Sequence, residues 1–133
     1  MTDRDVRYLS MVDAVGLHAS VMERTGSAPQ PLIREGSLES AIRRAQYAAY
    51  YESADLIRQC ALLAIGISQA QTWLDGNKRT AYACATVFLI LNGHEYTGDP
   101  LALAQELEAV ATREATLGEA ERRFEDWLRG QVT

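Results

Sequence analysis

Residues 79–93, RTAYACATVFLILNG, place apolar side chains on almost every side of a helical path. A helix of that kind cannot face water, so other elements must wrap it. Asn92-Gly93 is a stop signal at its C-terminal end. The remaining chain therefore has to supply amphipathic elements, each with one apolar face turned toward this segment.

The spacing of apolar residues predicts that supply to be helical. Ser10 is placed to cap a helix whose face carries Val12, Val15, Leu17 and Val21, ending at Gly26. The stretch SAPQPL reads as a loop, because Pro29 and Pro31 block regular pairing. Ser37 is expected to cap a second, shorter helix through Leu38, Ile42 and Ala45, and Ser53 to open a long one with Leu56, Ile57, Cys60, Leu63, Ala64 and Ile67 on one face. Asp99-Pro100 is a cap with a first-turn proline, leading into Leu101, Ala104, Leu107 and Val110. Thr116 and Glu119 match a capping box before Phe124, Trp127 and Leu128. Only HEYT and YYES read as short extended pieces. The expectation is an all-α bundle, one domain over residues 1–133, around a central apolar helix at residues 77–92.

Composition narrows the function classes. The 133 residues carry a net charge of −5, which disfavours DNA binding by the chain itself, since that needs a clustered basic face. No window reaches the about 18 consecutive apolar residues of a membrane span. The opening MTDRDVRYLSM lacks the apolar run of a secretory leader. Cys60 and Cys84 lie in apolar surroundings and read as small buried hydrophobes, not as a disulfide framework or metal cluster. A reducing cytoplasm is the expected compartment. His18 and His94 read as surface or packing residues. Arginines number twelve, but the chain has a single lysine, Lys78.

That lysine lies in DGNKR, residues 75–79, at the head of the apolar helix. A loop running into a helix N-terminus presents unpaired backbone N–H groups, and the helix dipole adds positive potential. Gly76 allows the backbone to approach a ligand closely. Asn77 can cap the helix or donate to an oxyanion. Lys78 and Arg79 put two cations beside the same spot, and Asp75 is placed to hold a Mg²⁺ bridging phosphates. Together these make a kit for phosphoryl transfer, although the Walker pattern is absent. A common turn with a plain asparagine cap and a solvated first turn accounts for the same five residues equally well.

Resemblance separates the two. Gln71-Thr-Trp73-Leu-Asp75-Gly76-Asn77-Lys78-Arg79 follows, position by position, the signature H-x-F-x-[D/E/A]-[G/A]-N-[G/K]-R of the Fic/Doc family. Lysine after the asparagine resembles the Doc (death-on-curing) branch, as does Tyr82 where AMP-transferring Fic enzymes show a second arginine. YLSMVDAVGLHASVMERTG, IREGSLESAIRRAQ, YYESADLIRQCALLAIGI and RTAYACATVFLILNGHEY are similar to the Doc helices in the same order.

The resemblance implies a toxin of a toxin–antitoxin system that uses ATP and Mg²⁺ to phosphorylate a Ser or Thr hydroxyl of a translation factor, elongation factor Tu in the Doc branch. By position, Asp75 would hold Mg²⁺, Gly76 and Asn77 would form the anion hole, and Lys78 and Arg79 would grip phosphates. Trp73 takes the place of the motif phenylalanine as the anchor of the loop. Tyr50 and Tyr51 fall in a region similar to the flap over the target, where they either line its entrance or cap the edge of the core. The implied partner is the C-terminal segment of a small antitoxin, with inhibition supplied from outside, because the self-inhibitory Fic motif is absent.

One departure matters most. Gln71 stands where the family has the histidine that takes the proton from the attacking hydroxyl. An amide can position that hydroxyl but cannot accept its proton, and losing a general base costs about 10²–10⁴ in rate. The implied chain is a disarmed Doc-type enzyme. Its rivals are a non-catalytic nucleotide- or antitoxin-binding module and an AMP transferase.

Overall fold

The structure, a computed structural model, describes residues 6–133. Residues 1–5, part of the opening read above for a leader, lie outside it. Six helices follow in order: α1 (Met11–Arg24), α2 (Glu35–Glu52), α3 (Leu56–Gln69), α4 (Asn77–Leu91), α5 (Pro100–Ala111) and α6 (Leu117–Arg129). The fold is all-α.

Several helix ends follow from single residues. Ser10 and Asp13 form a reciprocal capping box at α1. Asp99 accepts the Leu101 N–H with Pro100 in the first turn of α5, and Thr116 accepts the Glu119 N–H at α6. Asn92 and Gly93, the latter at φ +82°, end α4.

Helix α2 departs from expectation at both ends. It starts at Glu35, so Ser37 lies inside its first turn, and the Arg34 side chain at the cap position makes no capping hydrogen bond to the helix. The start is set by tertiary pairing instead, because the Ile33 and Arg34 N–H groups donate to the Thr72 carbonyl at 2.7 and 3.2 Å. At its other end α2 runs on through Tyr50 and Tyr51 to Glu52, so YYES is helical, not extended. The run is held by Ala48, buried against Ala54 and Leu62. Ser53 then closes α2 in the left-handed region at φ 54°, and Asp55 caps α3 by accepting the Arg58 N–H. Of the two expected extended pieces, HEYT alone pairs, through a bridge from Tyr96 to Val132.

The centre is a pair of helices. Helix α4 contributes Ala81, Cys84, Ala85, Phe88 and Leu89 to the core, and α3 buries Cys60 through Ile65 with Ile67 and Ser68. Burial pushes the Cys84 thiol up to about 12 and Cys60 further, so both behave as apolar groups at neutral pH. α2 lies close against α3, where a Cβ on Gly66 would come within 2.9 Å of the Ala41 Cβ. Arg129 fastens α6 by binding Asp55 at 2.7 Å and Glu125 at 2.7 Å, while Arg58 binds Glu125 at 2.8 Å. This leaves the α3–α4 turn at one end of the central pair, covered by α1 and the 25–34 segment.

Beneath that turn lies His18 of α1, only 2% exposed, its ring stacked on Trp73 with centroids 4.3 Å apart. Burial first, and then the Arg79 guanidinium, hold its pKa below the ordinary histidine value, with Asp75 opposing. The unfolded chain takes up this proton near pH ~6.5, so just below that pH it binds more protons than the folded chain. The stability His18 contributes is complete above this window and is lost as pH falls through it. The urea midpoint is expected to drop between about pH 7.5 and about pH 5.5, with a flatter slope in His18→Phe; equal slopes in the two proteins would contradict the assignment.

Candidate active site

Helix α3 ends at Gln69, and residues 70–76 carry the chain into α4. Within this turn Gln71 has φ +54°, a region that a side chain with a Cβ rarely enters. Neighbouring contacts over-determine it. The Arg34 guanidinium donates to the Gln71 carbonyl at 3.2 Å, the Thr72 carbonyl takes the two N–H groups of 33 and 34, and Leu32 bridges Trp73.

Trp73 is 1% exposed and anchors the loop in the core, as its place in the motif implied. Asn77 braces it from the first turn of α4. Its Oδ1 accepts the Trp73 N–H at 3.1 Å and its Nδ2 donates to the Trp73 carbonyl at 2.8 Å. The Asn77 side chain thus holds the loop, and its backbone N–H is what it offers a ligand. The cap position falls to Gly76 at φ +84°, and no side chain caps the helix. A Cβ on Gly76 would come within 2.3 Å of the buried Met22 sulfur, so only glycine fits.

The charged groups gather around this open helix end. Asp75 is exposed; its Oδ1 accepts the Gly76 N–H at 2.8 Å and its Oδ2 faces Arg79 at 3.1 Å. Arg79 also donates to the Thr25 and Ser27 hydroxyls, at 2.8 and 3.3 Å. Lys78 pairs with Glu108 of α5. Gln71, Asp75, Gly76, Asn77, Lys78 and Arg79 line one concavity of about 270 Å³, joined by Ser68 and Leu74. A larger hollow of about 390 Å³ between α5 and α6 is lined by Glu106, Arg113, Glu114 and Arg123 and by none of the motif residues, so chemistry and not size singles out the smaller one.

Tyr50 and Tyr51 do not join this wall. They sit on the last turn of α2, 80% and 76% exposed, packed edge-to-face on each other. The segment beside the turn is 25–34, of which residues 27–32 were read from sequence only as a loop. Ser68 was legible in principle, three residues before Gln71 at the end of an apolar helix. Glu108, thirty residues beyond Lys78, carries no sequence signal.

Unpaired N–H groups at the start of α4, two cations and one exposed carboxylate suit a polyphosphate carrying a divalent ion. Among the described residues, no group of three or more His, Cys, Asp or Glu could hold a metal. A single carboxylate with phosphate oxygens completing the shell is a usual magnesium arrangement, so Asp75 fits that ion only when nucleotide brings it.

A model of the Fic/DOC family matches residues 8–89, from the residue after Arg7 nearly to the end of α4. The chain belongs to the Fic/DOC family. It is similar to the "Protein kinase doc" of Escherichia phage P1, with 31% identity over 113 residues, 84% of this chain and 88% of that protein. The family match includes the whole turn with its Gln71, and stops before α5 and Glu108.

Gly76→Ala is expected to destabilise the chain by about 1–3 kcal/mol in urea denaturation, because it combines a left-handed backbone with a collision against Met22. A loss below about 0.5 kcal/mol would mean that the turn relaxes freely.

Proposed function

We propose that this chain is a Doc-type toxin of a toxin–antitoxin pair whose turn at 71–79 binds Mg-ATP, and whose Gln71 leaves it with little turnover. The observation that carries the reading is the open α4 N-terminus, with Asp75, Lys78 and Arg79 around it and Gln71 on the same concavity. In the reaction of the family's Doc branch, a Ser or Thr hydroxyl oxygen attacks the terminal phosphorus. The bond to the bridging oxygen breaks, ADP leaves, and the hydroxyl proton must go to a base. Asp75 is the one carboxylate lining the concavity, and it is engaged by Arg79 and the Gly76 N–H. Gln71 supplies a hydrogen bond without a proton acceptor. Binding survives in this reading, and the chemical step slows by about 10²–10⁴.

The target class is a translation factor, with elongation factor Tu as the first candidate, and the compartment is the bacterial cytoplasm. No helix among the described residues is long and apolar enough to cross a membrane. The partner is an antitoxin whose C-terminal segment folds onto the toxin. An apolar surface across α1 and α4 suits an amphipathic helix; Val12 is 80% exposed there and Ile90 63%, beside Leu17 and Val87.

The deciding experiment is intact-mass analysis of elongation factor Tu after incubation with Mg-ATP and either this protein or its Gln71→His variant. The expected result is one added phosphate with Gln71→His, formed at least about 10²-fold faster than with the parent. An added AMP would make the chain an AMP transferase and overturn the reading of Lys78. No product from either protein, with ATP still bound, would favour the non-catalytic module.

A calorimetric titration checks the binding half. Asp75→Ala and Lys78→Ala should each weaken Mg-ATP by about tenfold or more while the fold persists. Unchanged affinity in both would remove the site.

A further inference from the structure

Three parts of the site meet at one imidazole that lies outside the motif. The His18 Nε2 accepts the backbone N–H of Gln30 at 3.0 Å. A backbone N–H only donates, so Nε2 is unprotonated and the proton sits on Nδ1. Nδ1 therefore donates to the Thr80 Oγ1 at 2.9 Å, and the Thr80 hydroxyl in turn donates to the Gly76 carbonyl at 2.8 Å. The Thr80 N–H reaches the same carbonyl at 2.9 Å. The ring also floors the turn, since its Cε1 lies 3.2 Å from where a Gly76 Cβ would stand.

The relay has a geometric consequence. In a trans peptide the C=O and the following N–H point in opposite directions. Holding the Gly76 carbonyl toward Thr80 therefore aims the Asn77 N–H the other way, out of the open end of α4. The second arm of the ring, through Gln30, fastens the 25–34 segment. That segment supplies Thr25 and Ser27 to Arg79 and Leu32 to the bridge with Trp73. Mere packing would need only the stack on Trp73. The chain instead uses both nitrogens, in one fixed tautomer, at a residue 2% exposed.

We propose that His18 is the positioning residue of the phosphate-binding turn: through Thr80 it orients the peptide between Gly76 and Asn77, and through Gln30 it holds the segment that braces Arg79. This rests on the nucleotide reading given above. It adds that anion affinity depends on a buried ring in α1 that touches no phosphate.

The test uses the parent protein and four variants, each titrated with Mg-ATP and examined without nucleotide by amide hydrogen exchange at Thr80. His18→Phe keeps a ring on Trp73 and removes both hydrogen bonds. Thr80→Val breaks the relay one link later. His18→Asn offers a donor near the place of Nδ1, and His18→Gln offers an acceptor near the place of Nε2. His18→Phe and Thr80→Val are expected to weaken Mg-ATP by on the order of tenfold and to speed exchange of the amide at residue 80, relative to the intrinsic rate of the residue present. His18→Asn should recover most of the affinity and slow exchange again, whereas His18→Gln should not. Affinities that follow the unfolding midpoint, whichever arm is kept, would reduce His18 to packing and overturn the proposal. So would parent-like binding and exchange in His18→Phe. If the parent itself binds no Mg-ATP, the nucleotide reading falls and with it the effect on anion affinity, while exchange at residue 80 still decides whether His18 positions the turn: slowed again by Asn it does, unchanged by Phe it does not.

Discussion

The structure turns on one accounting problem, which is how the chain passes between two buried helices without stranding its backbone polar groups. Residues 70–76 must leave α3, dive to bury Trp73 and re-enter a helix. The Thr72 carbonyl is met by the N–H groups of 33 and 34, and both polar groups of Trp73 by the Asn77 amide. The Gly76 carbonyl is met by Thr80. With those groups paired, the first N–H groups of α4 stay open. Saturating one side of the turn is what leaves the other side available to an anion.

Charge on that open side is held loosely. Lys78 and Glu108 are each about half exposed, at 47% and 49%, and Asp75 is exposed opposite Arg79. Pairs in such positions are typically worth about 0–1 kcal/mol, so a polyphosphate with a divalent ion can displace them at little cost. The contrast with the neutral supports is instructive. Trp73, His18, Thr80 and Gly76 are buried and tightly bonded, while Asp75 and Lys78 are exposed and Arg79 is half-buried. Rigidity sits below the surface, and exchangeable contacts sit on it.

Much of this was legible in the residues. The apolar segment at 79–91 had to be central, and Ser10, Asp99 and Thr116 mark helix starts by side-chain chemistry that acts within four residues. The motif residues gather because they are consecutive across one turn. Ser37 and Ser53 misled for a physical reason. A serine near a helix end is permitted as a cap, but a backbone partner across the fold decided the start of α2, and burial of Ala48 carried its end through Tyr50 and Tyr51. Long-range partners left no local trace. The pairing of Lys78 with Glu108 and the passage from His18 through Thr80 span 30 and 62 positions.

Gln71 shows how shape and chemistry separate at this site. Its left-handed backbone is unusual for a residue with a Cβ, and a conformation of that kind persists only where the surroundings impose it. Here they do so through its own carbonyl, held by Arg34, and through the Thr72 carbonyl beside it. Neither contact involves the Gln71 side chain. The backbone that would aim a proton acceptor into the concavity is therefore built by residues 32–34, and it persists whichever side chain stands at 71. A histidine placed there would inherit the same backbone and the same open helix end. The conformation of the turn and the chemistry of the side chain at 71 therefore rest on different residues, so a substitution at 71 can change the second while leaving the first.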